Sequence, residues 1–429
     1  MPPLPSPPPG PPQWPHCGDG ADPATDPVGC RGIHVPGHTA CLAHITDDQR
    51  TAYLATLSPG ADIVHSGTPF NEPLLTSLLN AVRDPTSQRP HLGNTGFHEA
   101  QFSSPAEFSG AQFSGHADFG GAQFSSPAWF DGAQFSGHAW FNWAQFSSRA
   151  QFDGAQFSSL TWFSKAQFGH ADFGGAQFSS PAWFDGAQFS GHADFFGAQF
   201  RVMSLFGPVV CGQKVDLSSA VFEVPVTLEI AAREVRCVRT RFESTAIVRL
   251  RYARTDLSHA VLSSLVAVTA HPTSLAVDES LLAGPAHVRV ASVQGVDAAN
   301  LVLTDTDLTD CLFTGAFHLD QLRLEGRCTF APVPIGLHHR GLWPVRWTRR
   351  RTLAEEHHWR AHSAGQSAPA PSQAPSPRAW RTGPHHPDPD LTADPEDVAA
   401  TYRQLRKAFE DGKNEPGAAD FYYGEMGAA

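Results

Sequence analysis

The sequence predicts a mainly β fold, a β-helix of short strands with short helical segments near both ends and disordered linkers between them. Phenylalanine falls at 97, 102, 108, 113, 119, 124, 130, 135, 141, 146, 152, 157, 163, 168, 173, 178, 184, 189, 195 and 200, five and six residues apart in near-perfect alternation. Nearly every one has alanine two places before it, as in Ala122-Gln123-Phe124 and Ala128-Trp129-Phe130. In an extended chain residues two apart share a face, so Ala and Phe point inward together and the residue between them points out. Ser-Gly and Ser-Ser-Pro corners separate the pairs, so the chain turns every five or six residues. An eleven-residue helical repeat is excluded. At about 100° per residue the apolar places spread around a helix, and Pro105, Pro127 and Pro181 would interrupt it.

These residues resemble the pentapeptide-repeat proteins, in which a small residue stands two places before an apolar centre. The resemblance implies a right-handed quadrilateral β-helix with four short faces per coil. The usual Leu or Phe centre is almost always Phe here, and every second unit carries one extra corner residue. Four Phe landings then make a coil of about 22 residues, and twenty landings make five coils, roughly 24 Å of rod at ~4.8 Å per coil. Each inward Phe buries about 2–3 kcal/mol of apolar surface. Ala111 to Ala139 recurs as Ala166 to Ala193, with one deletion after Phe168 and Asp194 in place of Trp140.

The outward residues sort into columns. Gln101, Gln123, Gln145, Gln167 and Gln188 form one, and Gln112, Gln134, Gln156, Gln177 and Gln199 another. Stacked amides are expected to hydrogen-bond along the rod. Asp118, Trp140, Trp162 and Trp183 make a third column, opposite one of Glu107, Trp129, Gln151, Asp172 and Asp194. Contiguous outward indoles point to a contact face, so Trp140, Trp162 and Trp183 are candidate partner-binding residues; cover by the neighbouring chain is the alternative. The corner histidines 116, 138, 170 and 192 lack accompanying thiols or carboxylates at fixed spacing and are expected to be solvated.

Ahead of the repeat, residues 1–13 are a proline-rich tail without a core. Residues 14–46 hold Cys17, Cys30 and Cys41-x2-His44, the number and softness of ligands for a structural zinc. Their gaps match no standard finger, His16, His34 and His38 compete with His44 as fourth ligand, and buried or free thiols are the alternative. Residues 47–96 are expected to be a helical cap, with helices over 47–60 and 72–84. Thr46-x2-Gln49 gives a capping box, and Leu74, Leu75, Leu78, Leu79 and Val82 form a stripe.

After the regular β-helix of 97–206, residues 207–332 keep the five-residue beat more loosely, in Asp216-Leu217…Phe222, Asp256-Leu257…Leu262 and Leu303…Leu308…Phe313. This predicts an irregular continuation with longer strands, and Cys211, Cys237, Cys311 and Cys328 as packing residues. Residues 333–360 suggest a basic helical segment whose Arg349, Arg350 and Arg351 could meet acidic lipid or a partner. Residues 361–393 read as a disordered linker. Residues 394–429 read as a helical hairpin, with Pro395 opening it, Val398, Tyr402, Leu405 and Phe409 on one face, and Gly412 as a stop. The run Thr401 to Met426 resembles the helical segment that precedes transmembrane helices in actinobacterial pentapeptide-repeat membrane proteins. That resemblance implies the soluble part of a membrane-associated assembly; the sequence given stops at Gly427-Ala428-Ala429.

A net charge of −12 argues against a nucleic-acid-binding surface. Seven cysteines, an odd number, without a leader pattern predict a reducing, cytoplasmic setting. No apolar run is long enough to span a membrane. No triad, phosphate loop or carboxylate pair points to catalysis. The expected role is therefore a non-enzymatic scaffold acting through a protein partner or self-association, with peripheral membrane contact in reach of the arginines. The alternative resembles the gyrase-inhibitor pentapeptide proteins, which imitate DNA with an acidic rod. The block from 97 to 200 carries eight acids against Arg149 and Lys165, net −6. That is one charge per ~4 Å of rod, against one per ~1.7 Å in duplex DNA.

Overall fold

The computed structural model describes residues 10–335, 337–340, 343–346, 349–366, 376–382 and 393–428. The proline tail before residue 10 and most of the predicted linker lie outside them. The chain divides into two compact units, Met1–Gln213 and Lys214–Ala429.

The first unit is a parallel β-solenoid. Two-residue strands at Gln123–Phe124, Ala128–Trp129, Gln134–Phe135 and Ala139–Trp140 make one coil, and each pairs in register with its equivalent in the next coil. The pattern holds because a Phe on one coil stacks face to face on the Phe one coil along. Phe102, Phe124 and Phe146 lie 4.6 Å apart in succession. Neighbouring columns meet edge to face, as Phe119 meets Phe130 at 5.3 Å and 87°. Both arrangements suit the ring quadrupole. The alanines are fully buried beside the rings. At the corners one residue must take a left-handed conformation; glycine does so at 110, 121, 132, 154, 175, 186 and 197, while Trp143 and Lys165 adopt it with φ of 61° and 58°. The deletion after Phe168 is absorbed locally, by a register shift between Phe146 and Arg149 on the neighbouring coil.

The expected helical cap over 47–96 is corrected. Helices occupy only α1 (Asp47–Leu54) and α2 (Glu72–Ala81). Strands Ala61–Val64, Pro69–Phe70 and His91–Gly96 extend the solenoid ahead of residue 97. Phe70 stacks on Phe102 at 5.3 Å, so the core ladder starts before the alanine pattern announces it. Thr46 and Gln49 form the expected capping box, and Leu74, Leu75, Leu78 and Leu79 are the buried face of α2. The Gln columns stack in the expected register. Among the described residues no side-chain amide–amide hydrogen bond runs up them. These side chains stand outward, exposed or half-buried.

The second unit is itself built on parallel pairing, with longer strands. Val226–Arg236 pairs with Ala246–Arg251 and Arg254–Asp256, and Ala246–Arg251 pairs with Val266–Ala270. Alternating Val, Ile and Leu replace Phe in the core. A loop after Ala270 is clasped by Arg251, whose guanidinium meets Glu279 at 2.9 Å with both side chains nearly withdrawn from solvent. Cys237 and Cys311 are buried packing residues as expected, and Cys328 is partly buried.

The basic segment over 333–360 is only partly helical. Trp343–Arg346 is a strand paired antiparallel with Leu337–Arg340, Arg351–Thr352 pairs with Ala331–Pro332, and helix α3 spans Ala354–Ser363. Backbone pairing takes precedence over the helical reading upstream of Leu353. Glu355 of α3 accepts the N–H groups of Phe313 and Thr314, closing two main-chain donors. Two helices close the described chain, α4 (Pro395–Asp411), capped by Asp394, and α5 (Glu415–Ala428). Gly417 and Gly424 allow close approach, since a Cβ there would fall 2.8 Å from Phe409 and 2.5 Å from Tyr402. Phe421 packs edge-on against both aromatic rings.

Candidate functional site

Cys17 and Cys30 face each other across a hairpin-like loop. The N–H of Cys17 donates to Gly32 O, that of Gly18 to Cys30 O, and that of Cys30 to Asp19 O. Cys41 opens a tight turn in which His44 N–H donates to Cys41 O, which brings the ring back over the loop. The four ligand atoms of Cys17, Cys30, Cys41 and His44 all lie within 4.8 Å of one another. Cys30 Sγ is 3.7 Å from Cys41 Sγ, and His44 Nδ1 is 3.4 Å from Cys17 Sγ and 3.5 Å from Cys41 Sγ. This Cys3His cluster can hold a metal ion. His34 is engaged elsewhere, its Nε2 2.8 Å from His16 O.

Two local features support the cluster. The N–H of Gly32 donates to Cys30 Sγ, a bond that favours thiolate. The hydrogen bond between the two sulfurs draws the Cys30 pKa down to about 5, and the same bond and burial push Cys41 up. Gly32 also leaves room for the sulfurs, because a Cβ there would fall 2.6 Å from Cys41 Cβ and 2.8 Å from its Sγ. Neither Gly32 nor Asp19, which lies 3.5 Å from His44 Nε2, is named by the cysteine spacing; a Gly-Asp-Gly turn directly after Cys17 was the available signal.

The loop is fastened to the solenoid. Ile33 N–H donates to Ser66 O, and Trp14 Nε1 donates to Arg31 O while its ring meets His98 edge-on at 5.9 Å. Arg31 approaches Glu99 at 3.8 Å. His98 lies between Glu99 and Asp118, and the hydrogen bond and charge of Asp118, with Glu99, raise its pKa against the effect of burial.

The tryptophans form the column that the sequence predicts. Trp140 pairs with Asp118 on one side and Trp162 on the other, and Trp162 with Trp183. Their rings stack at 5.6 Å and 5.1 Å, half-buried, so the faces are used on each other and the edges face outward. His116 stacks on His138 at 4.8 Å, and His138 meets Trp140 and Trp162. The corner histidines are therefore tied coil to coil: His138 N–H donates to His116 Nδ1, and His192 N–H to His170 Nδ1. Trp143, on the adjoining corner, is 57% exposed beneath the Lys165 ammonium at 4.5 Å. The opposite column runs Glu107, Trp129, Gln151, Asp172 and Asp194. Beside it, desolvation and neighbouring carboxylates raise the pKa values of Asp131 and Asp153.

The three arginines separate. Arg349 is exposed, Arg351 approaches Asp420 at 3.9 Å, and Arg350 is buried against Glu356 at 2.6 Å. The expected basic patch is corrected at Arg350, because a buried carboxylate claims its guanidinium. Among the described residues no helix is long and apolar enough to cross a membrane.

Four strands to a coil, each paired in parallel one coil on, with an inward small–Phe pair, define a repeat protein of the β-solenoid class. The family model for pentapeptide repeats matches nine copies, over residues 97–143 and 119–167. Residues 97–167 are thus built of pentapeptide repeats, and the parallel β-solenoid that contains them supports a pentapeptide-repeat protein. Neither the curated proteins nor the solved structures contain a match.

Proposed function

We propose that this protein is a non-enzymatic scaffold, a solenoid with a zinc-clasped loop at Cys17, Cys30, Cys41 and His44 and a contact face along Trp140, Trp162 and Trp183. The carrying observation is the indole ladder. Three coils in succession place tryptophan at an outward position that other coils give to Gly96 or Asp118. Stacked in this way they offer a continuous strip of indole edges, an apolar surface with N–H donors, suited to a protein partner or a second copy of the chain.

The cluster distances suit zinc. With Zn–S of ~2.3 Å and Zn–N of ~2.0–2.1 Å, a tetrahedron has edges of ~3.8 Å between sulfurs and ~3.5 Å between sulfur and nitrogen. Three of the six distances, 3.7 Å, 3.4 Å and 3.5 Å, lie on those edges, and all six lie within 4.8 Å, so the remaining ligands need only a small inward shift to close on an ion. Three thiolates and an imidazole fill all four positions, which is the arrangement of a structural site closed to substrate.

The test replaces Trp140, Trp162 and Trp183 together by Ser. Loss of self-association in light scattering, or of the proteins crosslinked to the wild-type chain in its own cell extract, is expected. A correctly folded triple variant that keeps both its oligomeric state and its crosslinked partners defeats the proposal.

A further inference from the structure

The two nitrogens of His44 face different surroundings. Nδ1 looks onto the sulfurs of Cys17 and Cys41 at 3.4 Å and 3.5 Å. Nε2, on the other side of the ring, looks onto Asp19 Oδ2 at 3.5 Å. Asp19 reaches that place through its backbone. Gly18 and Gly20 on either side have φ of +65° and +71°, and the Asp19 carbonyl accepts the Cys30 N–H at 2.9 Å. Gly29 closes the loop so tightly that a Cβ would fall 2.7 Å from Asp19 O. The main chain that carries Cys17 and Cys30 thus also delivers a carboxylate to the far side of the histidine.

We infer that His44 ligates the metal through Nδ1, and that Asp19 is the positioning residue that accepts the Nε2 proton and holds the ring in that orientation. The inference rests on the zinc reading. A neutral imidazole that binds metal through one nitrogen carries its proton on the other. Ligation makes that N–H more acidic, which draws the neighbouring carboxylate in from 3.5 Å toward hydrogen-bonding distance. The aspartate in turn makes the ring a stronger donor to the metal and restricts its rotation. Asp19 touches neither the ion nor the sulfurs; its effect passes through His44.

The experiment uses the full chain. Loaded with cadmium-113 and labelled with nitrogen-15 histidine, it should show metal coupling to Nδ1 of His44 and a slowly exchanging Nε2 proton. Asp19→Ala should remove that slow exchange and weaken zinc binding by ~10–100-fold in competition with a chromophoric chelator. Asp19→Asn, which keeps an acceptor, should lose less. In a His44→Cys background, Asp19→Ala should cost no affinity, which separates an effect through the ring from damage to the loop. Coupling at Nε2, or an Asp19→Ala affinity within twofold of wild type, overturns the inference while leaving the zinc site standing. A wild-type chain that takes up no metal overturns the zinc reading itself.

Discussion

Arg350 and Glu356 form an ion pair in which one guanidinium nitrogen is shared by both carboxylate oxygens, Nη2 lying 2.6 Å from Oε1 and 2.7 Å from Oε2. The Glu356 side chain is fully withdrawn from solvent and that of Arg350 nearly so. The same carboxylate accepts from Arg360 at 2.7 Å and from Tyr402 Oη at 2.6 Å, and Tyr402 Oη accepts the Leu353 N–H. One buried anion therefore ties the segment before α3, α3 itself and α4 together. The two cations and a hydrogen bond hold the Glu356 pKa down against burial.

Replacing Glu356 by Ala should leave Arg350 and Arg360 without their anion and destabilise the second unit by about 3–5 kcal/mol. Arg349→Ala, on an exposed side chain, should change stability by less than about 0.5 kcal/mol. Urea unfolding of the two variants checks the contrast. Equal effects would mean that the network is peripheral.

Acid should weaken the second unit through His357. Its Nδ1 accepts the Arg381 N–H at 3.2 Å, and its Nε2 lies 2.8 Å from Thr352 Oγ1, whose own proton goes to Ala331 O. Every partner fits the neutral ring with the proton on Nε2, and a second proton on Nδ1 would face an N–H. Burial, with Arg381 and His358 nearby, pushes the pKa down to about 4 despite Glu356. The unfolded ring takes its proton near pH 6.5 and the folded ring only near 4, so stability falls as pH drops through that window. The loss amounts to ~3 kcal/mol by the acid end at ~1.4 kcal/mol per pH unit. Burial pushes His358 down to about 4 as well, adding in the same sense, while Glu355, raised chiefly by burial, opposes both. His357→Gln should flatten the fall in thermal midpoint between pH 7 and pH 5, measured by calorimetry on the whole chain.

The regular coils were legible because their signal is a strict period: Phe landings fix strand, register and outward column together. Where packing departs from that period, the residues alone mislead. Phe70 has no alanine two places before it, yet stacks on Phe102. Residues 343–346 look like part of a basic helix, yet their backbone finds a partner in residues 337–340, a pairing set by tertiary contact. The metal cluster was legible in residue type, and its fourth ligand was decided by the turn that returns His44 to Cys41. Asp19 and Gly32 act through distances of a few ångströms across a loop, which no spacing rule encodes.

Gly32→Ala tests the room around the sulfurs. The added methyl would meet Cys41 Cβ at 2.6 Å and Thr68 Cα at 3.2 Å, so the Cys41 turn must move away from Cys30. Zinc content of the purified chain should drop from one equivalent toward none. Chelation of the wild type should open the same loop, exposing Trp14 and shifting its fluorescence to the red. An alanine variant that retains its zinc would show that the turn yields without cost to the site.

The Phe ladder predicts a difference between deletion and replacement. Phe130 stacks on Phe108 at 5.0 Å and Phe152 at 4.9 Å, and meets Phe119 and Phe141 edge-on. Phe130→Ala removes these contacts and the more distant ones to Phe124 and Phe135, six in mid-rod, and should cost about 3–5 kcal/mol. Phe130→Leu keeps an apolar filling of similar reach and should cost less than about 1.5 kcal/mol. Each coil touches only its neighbours, so the larger loss should surface as local opening around residues 108–152 before the rest of the first unit unfolds. Hydrogen exchange read peptide by peptide checks this: protection should fall first at Phe108, Phe130 and Phe152 in the alanine variant and stay near wild type in the leucine variant. A uniform loss of protection across Phe102 to Phe200 would show instead that the coils unfold as a single cooperative block.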